Sequence, residues 1–166
     1  MSDKSRPLKK KQEYILVLHD IRSVYNVGAL FRTADAIGIS QIIISGYSPT
    51  PVDRFGRART DFAKSALGSE KAIPWQYAKT PYAKIKKLKA EGFHIVGVEQ
   101  DARSIDYKKL KKSDRMVFVL GTETTGISKT LLKLCDTIIE LPMSGMKESL
   151  NVSVAGGIIL YRVLDR

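Results

Sequence analysis

A cluster of small polar side chains stands at the head of the apolar C-terminal segment of this sequence. Residues 147–161 read K-E-S-L-N-V-S-V-A-G-G-I-I-L-Y, in which Ser149, Asn151 and Ser153 precede a mostly apolar run. The free N–H groups and the dipole of a helix N-terminus favour a phosphate or an oxyanion. We therefore interpret the cluster as a site that faces an anionic substrate, and we expect Ser149 to cap the helix that follows.

A hydrolase triad and a metal centre both lack the residues that they need. Ser149 is not part of a G-x-S-x-G turn, and only His19 and His94 could serve as its base. Neither histidine has a partner at metal-ligand spacing, and the single cysteine, Cys135, excludes a cysteine-based zinc cluster. We expect both histidines to be packed or hydrogen-bonded, and we predict no metal site.

Two more polar loops follow predicted strands. The first reads R-S-V-Y-N-V-G-A-L-F-R-T-A and includes Arg32, which on its own would be interpreted as a surface arginine. The second, G-T-E-T-T-G at 121–126, lacks the glycine patterns of dinucleotide and P-loop sites, and alone it would be an ordinary turn with Gly126 in a left-handed conformation. Ligands of parallel sheets bind outside the carboxyl ends of strands, so these loops form one candidate site.

The elements that must position these loops alternate along the chain. Hydrophobic periodicity predicts a helix between the first two strands, a long loop over 46–58, and an apolar last helix from Leu150 to Leu164. Strands that alternate with helices predict an α/β fold with a mostly parallel sheet flanked by helices. The predicted strands cover 14–19, 41–45, 93–98, 116–120 and 137–141. Other predicted helices cover 60–67, 81–90 and 128–134.

Composition limits the class of protein and of partner. The chain has 166 residues, of which 43% are hydrophobic, which predicts one compact domain. Its 28 Lys and Arg against 17 Asp and Glu give a net charge of +11, which favours a nucleic-acid partner, although excess lysine could also serve solubility alone. No apolar run approaches membrane-spanning length, so we expect a soluble, cytoplasmic protein without a membrane partner.

Taken together, the three loops resemble the three motifs of the SpoU/TrmH family of RNA ribose 2′-O-methyltransferases. The resemblance rests on N-V-G-A-L-F-R-T-A-D-A-I-G at 26–38, V-F-V-L-G-T-E-T-T-G-I-S at 117–128 and I-I-E-L-P-M-S-G-M-K-E-S-L-N-V-S-V-A at 138–155. It implies a methyltransferase domain over 13–166. The lysine-rich residues 1–12 are expected to form a flexible basic arm, and the chain is expected to depart from larger family members in lacking a separate N-terminal RNA-binding domain. The resemblance also implies a C-terminal deep trefoil knot, which composition and periodicity could not predict.

The resemblance further implies S-adenosyl-L-methionine as cofactor and RNA as substrate. The stretch E-G-F-H-I-V-G-V-E-Q at 91–100 is most similar to the branch that methylates a D-loop guanosine, so tRNA is favoured over rRNA. By the family motifs, cofactor binding is expected of Gly121, Leu141 and Leu150. Catalysis is expected of Asn26, Arg32, Glu123, Ser149 and Asn151.

The role of Arg32 stays open at this point. The matching family arginine is often assigned as general base, but a guanidinium with a pKa above about 12 rarely gives up a proton. Arg32 could instead hold a phosphate and stabilise alkoxide charge. The alternative for the whole chain is a non-catalytic RNA-binding protein on the same scaffold.

The last helix is expected to be apolar on two faces. Leu150, Val154, Ile158 and Tyr161 form one stripe, and Val152, Ala155, Ile159 and Val163 form another. Since one stripe would be exposed in a monomer, we predict a homodimer through this helix, as the resemblance also implies. The alternative is that the basic helices cover this stripe. The glycine pair 156–157 predicts that another backbone passes close by.

Overall fold

The computed structural model describes residues 11–166. The basic arm predicted for 1–12 lies outside the described residues, except for its last two positions. Within residues 11–166, no helix combines the length and the apolar character needed to cross a bilayer.

A seven-stranded sheet forms the centre of the domain, and every strand pair in it is parallel. The strand order is β3-β2-β1-β6-β4-β7-β5. The predicted α/β fold with a mostly parallel sheet is confirmed. The strands are β1 Glu13–His19, β2 Gln41–Ser45, β3 Trp75–Ala78, β4 His94–Val98, β5 Ile105–Asp106, β6 Arg115–Leu120 and β7 Thr137–Glu140.

Helices join and flank these strands. They are α1 Val24–Ile37, α2 Thr60–Ala66, α3 Ser69–Ala72, α4 Tyr82–Ala90, α5 Lys129–Leu132 and α6 Val152–Leu164, with one 3₁₀ turn at Tyr107–Lys109. The sequence prediction lacked β3, α3 and β5, and it extended α5 by two residues beyond its end. The missed strands lie at the two edges of the sheet, where short pairing and partial exposure give no clear alternation of apolar and polar residues.

The core lies on both faces of the sheet. On one face, α1 buries the stripe that includes Leu30 and Phe31, and the Phe31 ring meets the Phe62 ring of α2 edge to face at 5.2 Å. On the other face, Leu131 and Leu132 of α5 and Ile85 of α4 are buried. The central strands β1 and β6 are therefore covered on both sides, which explains their continuous apolar sequences.

The start of α6 differs from the prediction. Its N-cap is Asn151, whose side chain accepts a hydrogen bond from the backbone N–H of Ser153 at 2.9 Å, so the expected capping role of Ser149 was wrong. An amide oxygen caps a helix as well as a hydroxyl does, and two capping residues close together in sequence cannot be ranked by type alone.

The two glycines of α6 also differ from the prediction. A Cβ on Gly156 would lie 2.8 Å from Leu30 Cδ2 and 3.0 Å from Leu120 Cδ1, so its close neighbours are side chains and not another backbone. A Cβ on Gly157 would meet nothing within 4 Å. Gly156 thus lets α6 pack closely on α1 and β6, whereas Gly157 has no such role among residues 11–166.

Both histidines are hydrogen-bonded, as the sequence predicts. His19 Nδ1 lies 2.9 Å from Ser45 Oγ, and His94 Nε2 lies 2.9 Å from Thr137 Oγ1. Burial lowers the pKa of His19, and the neighbouring Asp20 carboxylate opposes that shift. Each histidine therefore has a structural partner in an adjacent strand.

Candidate active site

The parallel register brings three polar loops to one edge of the sheet. Leu18 of β1 pairs with Leu120 of β6, and Leu120 also pairs with Val98 of β4. Val98 pairs in turn with Ile139 of β7. Since these strands end together, the loops that follow β1, β6 and β7 lie close together, as the sequence predicts, and the loop after β4 lies between those of β6 and β7.

A cleft of about 330 Å³ lies at this edge. The three residues expected to bind a cofactor, Gly121, Leu141 and Leu150, all line it, and so do Glu123 and Ser149. Its floor is apolar, because Val152 and Ile159 of α6 also face it. The cleft is within the size range of small-molecule sites, which are about 300–1,000 Å³.

Gly121 is required by close packing within its own loop. A Cβ there would lie 2.8 Å from the backbone carbonyl carbon of Gly126 and 2.8 Å from Ile127 Cγ1. The loop closes on itself because the N–H of Gly126 donates to the carbonyl oxygen of Thr122 at 2.9 Å. Gly126 has φ 65°, which confirms the predicted left-handed turn.

Glu99, directly after β4, holds this loop and was missed by the sequence prediction. Its Oε2 accepts a hydrogen bond from the N–H of Ile127 at 2.7 Å, and its Oε1 accepts one from the N–H of Gln100 at 2.9 Å. The Gln100 side chain donates to the carbonyl oxygen of Glu148 at 2.6 Å. The two residues therefore connect three cleft-lining segments, and their position at the carboxyl end of a buried strand was the available signal.

A chain of hydrogen bonds joins three of the expected catalytic residues. Asn26 Nδ2 donates to Glu123 Oε1 at 2.7 Å, and Asn151 Nδ2 donates to Asn26 Oδ1 at 3.1 Å. These residues come from α1, the loop after β6 and the N-cap of α6. The network holds the side chains of Asn26 and Asn151 at the rim of the cleft, because Glu123 lines the cleft and Asn26 donates to it.

Local structure fixes both asparagines. Asn26 lies in the first turn of α1, where its backbone N–H donates to the N-cap oxygen of Ser23 at 3.2 Å. Asn151 Oδ1 accepts hydrogen bonds from Ser153 N and from Ser153 Oγ, at 2.9 and 2.6 Å. With Oδ1 used in capping, the amide group of Asn151 can only turn Nδ2 toward Asn26.

The other two expected catalytic residues do not join this network. Ser149 is exposed at the cleft and makes no side-chain hydrogen bond to any residue of 11–166. Arg32 is exposed on α1, two turns beyond Asn26, and forms no ion pair with the described residues. The structure therefore brings Asn26, Glu123 and Asn151 together, whereas Ser149 and Arg32 lie outside their hydrogen-bond network.

The cleft is acidic, although the chain as a whole is strongly basic. Four carboxylates line it, those of Glu99, Glu123, Glu140 and Glu148. No Lys, Arg or His among residues 11–166 lines it. They are not close enough to hold a metal ion, since no such group of three His, Cys, Asp or Glu residues occurs within 11–166. This lining favours a ligand with positive charge and disfavours the polyphosphate of a nucleotide.

Known proteins match this chain over the residues that form the site. Residues 13–161 match the SpoU rRNA Methylase family. The chain is 31% identical over 153 residues to the 23S rRNA (guanosine-2′-O-)-methyltransferase RlmB of Escherichia coli strain K12, a match that covers 92% of this chain and 60% of that protein. The chain thus spans about three fifths of the length of the curated relatives that it matches.

Solved structures share the fold. The AdoMet-bound rRNA methyltransferase of Sinorhizobium meliloti superposes with a TM-score of 0.83 at 30% identity, covering 93% of this chain and 56% of that one. A TrmH/SpoU tRNA-modifying enzyme of A. aeolicus superposes with a TM-score of 0.81 at 28% identity, covering 95% and 76% of the two chains.

Proposed function

This chain belongs to the SpoU rRNA Methylase family, and we propose that it transfers a methyl group from S-adenosylmethionine to the 2′-hydroxyl of an RNA ribose. The observation that carries this proposal is the acidic, apolar-floored cleft beside the network of Asn26, Glu123 and Asn151. A cationic, partly apolar cofactor suits that cleft. A polyanionic substrate suits the net charge of +11 that the chain carries.

The residues of the cleft fit S-adenosylmethionine. Leu141 and Leu150 provide apolar surface for the adenine ring, and the Gly121 loop offers backbone groups at close range. The carboxylates around the cleft favour the positive charges of the cofactor. When bound, the cofactor supplies an electrophilic methyl group on a sulfonium centre.

The polar network then acts on the ribose. Asn26 and Asn151 hold each other in fixed orientations, which limits the entropy lost when they orient a ribose hydroxyl for in-line attack. Arg32 serves the flanking phosphate and the developing alkoxide, because a guanidinium group offers several hydrogen-bond donors to oxygen anions. A phosphate oxygen or a water molecule takes the hydroxyl proton.

Calorimetry distinguishes this proposal from a nucleotide-dependent enzyme. S-adenosylmethionine should bind, and NAD and ATP should bind weakly or not at all, because their phosphates would meet the carboxylates of the cleft. Tight ATP or NAD binding, without binding of S-adenosylmethionine, contradicts the proposal.

Radiolabelled methyl transfer to RNA distinguishes it from a non-catalytic RNA-binding protein. Arg32→Ala should nearly abolish transfer while cofactor affinity changes little. Asn151→Ser should do the same with the fold intact, because serine still caps α6 but its side chain is too short to replace the hydrogen bond from Nδ2 to Asn26. Wild-type turnover in both variants would show that the proposed site is wrong.

The RNA target within this proposal is tRNA. The motif resemblance at 91–100 favours a tRNA guanosine, whereas the RlmB protein of Escherichia coli is named for 23S rRNA. Parallel assays with total tRNA and with 23S rRNA fragments test the assignment. Methylation confined to the rRNA fragments would replace tRNA by rRNA.

We also propose a homodimer through α6 and a C-terminal trefoil knot. In support of the dimer, Leu150, Val154, Ile158 and Tyr161 expose 41–50% of their surface, and Gly157 beside them leaves room for a close neighbour. The basic helices predicted at 60–67 and 81–90 leave this stripe exposed. In support of the knot, the family resemblance covers every segment that lines the cleft.

Sedimentation tests the dimer. The wild type should sediment as a dimer at micromolar concentration, and Val154→Glu should sediment as a monomer because a charge would replace a half-exposed apolar side chain. If the dimer shares its sites, mixing Arg32→Ala with Asn151→Ser should restore activity. An active wild-type monomer contradicts the dimer.

A further inference from the structure

A small hairpin projects from the loop between β2 and α2, outside the site described above. Its base is an antiparallel bridge between Val52 and Ala58. The N–H of Asp53 donates to the carbonyl oxygen of Arg57 at 2.8 Å. The N–H of Gly56 donates to the carbonyl oxygen of Asp53 at 2.9 Å. We name residues 53–57, which read D-R-F-G-R, the hairpin tip.

The carboxylate of Asp53 locks the hairpin tip. Its Oδ1 accepts hydrogen bonds from the N–H of Phe55 at 2.8 Å and of Arg57 at 3.0 Å, and its Oδ2 accepts one from Arg57 Nε at 2.8 Å. These hydrogen bonds lower the pKa of Asp53, and the bond from the backbone N–H of Arg57 has the largest effect. Burial opposes the shift. Gly56 takes the left-handed conformation that the turn requires, at φ 78°. The tip is therefore preorganised.

Phe55 is held out into solvent by this locked turn. It is 66% exposed, and two guanidinium groups lie over its ring, Arg54 at 4.7 Å and Arg57 at 5.1 Å from the ring centroid. Arg54 has no acidic partner within residues 11–166. An exposed aromatic ring beside two cations has no packing role within residues 11–166, but it combines the two features that bind single-stranded nucleic acid, a stacking surface and positive charge.

The loop that carries the hairpin tip leaves the sheet at the same edge as the cleft. β2 pairs in parallel with β1, with Ser45 opposite His19, and β1 pairs with β6, so the loop after β2 starts about two strand spacings, or about 10 Å, from the loop after β6. Two more exposed aromatic side chains share this edge. Tyr25, beside the network residue Asn26, is 60% exposed, and Tyr47 is 72% exposed.

We propose that the hairpin tip stacks an unpaired base that flanks the methylated nucleotide, with Phe55 as the stacking surface and Arg54 and Arg57 on the neighbouring phosphates. The target ribose would then lie in a single-stranded or looped RNA segment and not within a duplex, because a paired base reaches an aromatic ring only after its pairing and stacking are broken, which costs a few kcal/mol. This inference rests on the proposed function for the identity of RNA as substrate, and it specifies the class of RNA.

A second protein would be the other possible occupant of an exposed aromatic ring. RNA is favoured because the ring is flanked by guanidinium groups rather than by an apolar patch, and because the whole chain carries a charge of +11. An apolar protein partner would need a contiguous apolar surface, and the neighbours of Phe55 in the tip are polar or charged.

Fluorescence anisotropy with a labelled single-stranded RNA oligonucleotide tests the proposal. Phe55→Ala should weaken binding roughly 5- to 150-fold, which is the range for one stacked base, and Phe55→Trp should restore it. Phe55→Leu is the matched control, because it keeps apolar area but removes the aromatic face, and it should behave like alanine. Arg54→Gln should reduce the slope of log affinity against log salt by about one.

Two further measurements separate the outcomes. The same sequence as a duplex should bind the wild type and Phe55→Ala equally, and cofactor affinity by calorimetry should be unchanged in all variants. Wild-type RNA affinity in Phe55→Ala or Phe55→Leu overturns the stacking role, and a change in sedimentation of Phe55→Ala would assign the tip to a protein interface instead. Failure of the wild type to bind S-adenosylmethionine would refute the proposed function, while the RNA-binding result would stand.

Discussion

The neighbouring glycines of α6 offer a matched pair of substitutions with opposite expected effects. Alanine is favoured over glycine in a helix interior by about 0.5–1 kcal/mol. At Gly157 the new methyl group meets nothing within 4 Å, so Gly157→Ala should raise the free energy of unfolding by about that amount. In the proposed dimer the same methyl group would face the second copy, so this gain is expected at protein concentrations at which the chain is monomeric.

At Gly156 the same methyl group is crowded. It would lie 2.8 Å from Leu30 Cδ2 and 3.0 Å from Leu120 Cδ1, two side chains that are themselves fully buried. Overpacking of this kind costs about 1–3 kcal/mol. Because the helix-propensity gain is common to both variants, it cancels in the comparison. Gly156→Ala should therefore unfold with a free energy about 1–3 kcal/mol below that of Gly157→Ala.

Urea denaturation of both variants at several protein concentrations measures this difference, since the apparent stability depends on concentration if the chain forms the proposed dimer. The denaturant slope should match that of the wild type in each case. Equal free energies of unfolding for the two variants would refute the packing of α6 against α1 and β6. Destabilisation by Gly157→Ala that grows with protein concentration would instead indicate that a second copy occupies the open side of α6.

Three further predictions concern the site and its supports. Gly121→Ala should abolish measurable cofactor binding, because its methyl group would meet the backbone of the same loop, whereas Gly145→Ala, with open space around it, should not. Burial raises the pKa of Cys135 to about 11, so iodoacetamide should modify it about 100-fold more slowly in the folded than in the urea-unfolded protein. Burial alone would raise the pKa of Asp136, but the hydrogen bonds that its carboxylate accepts lower this pKa overall. The stabilisation that the carboxylate gives the folded protein is therefore present at neutral pH and lost as pH falls below about 4. In urea denaturation, Asp136→Ala should therefore unfold about 1–3 kcal/mol more easily at pH 7, since the N–H of Ile95 loses its acceptor, and this difference should shrink on acidification.

Hydrophobic pattern was sufficient for the central elements of this fold. β1, β6 and α1 have long apolar runs or a clear helical stripe, because each is covered by other elements. β3 has the sequence W-Q-Y-A at a sheet edge and only partly buried side chains, so it has no such pattern. Edge strands are defined by their neighbours, and a single sequence does not show which neighbour is present.

The candidate site shows a similar division. The carboxyl-end rule placed the three loops together, but residue types could not tell that Asn151 rather than Ser149 caps α6. The contact between Asn26 and Asn151 joins positions 125 residues apart, and only the family resemblance suggested it. Glu99 was missed because its role depends on a hydrogen bond to the backbone of Ile127, which sequence spacing does not encode.

The position of the transferred methyl group tests the central claim most directly. RNA is incubated with the protein and S-adenosylmethionine that carries a deuterium-labelled methyl group, then digested to nucleosides and analysed by mass spectrometry. The account predicts that the label resides on the ribose, as a 2′-O-methyl nucleoside, and that Asn151→Ser gives none. Label found on a base, or no label in any RNA despite cofactor binding, would contradict it.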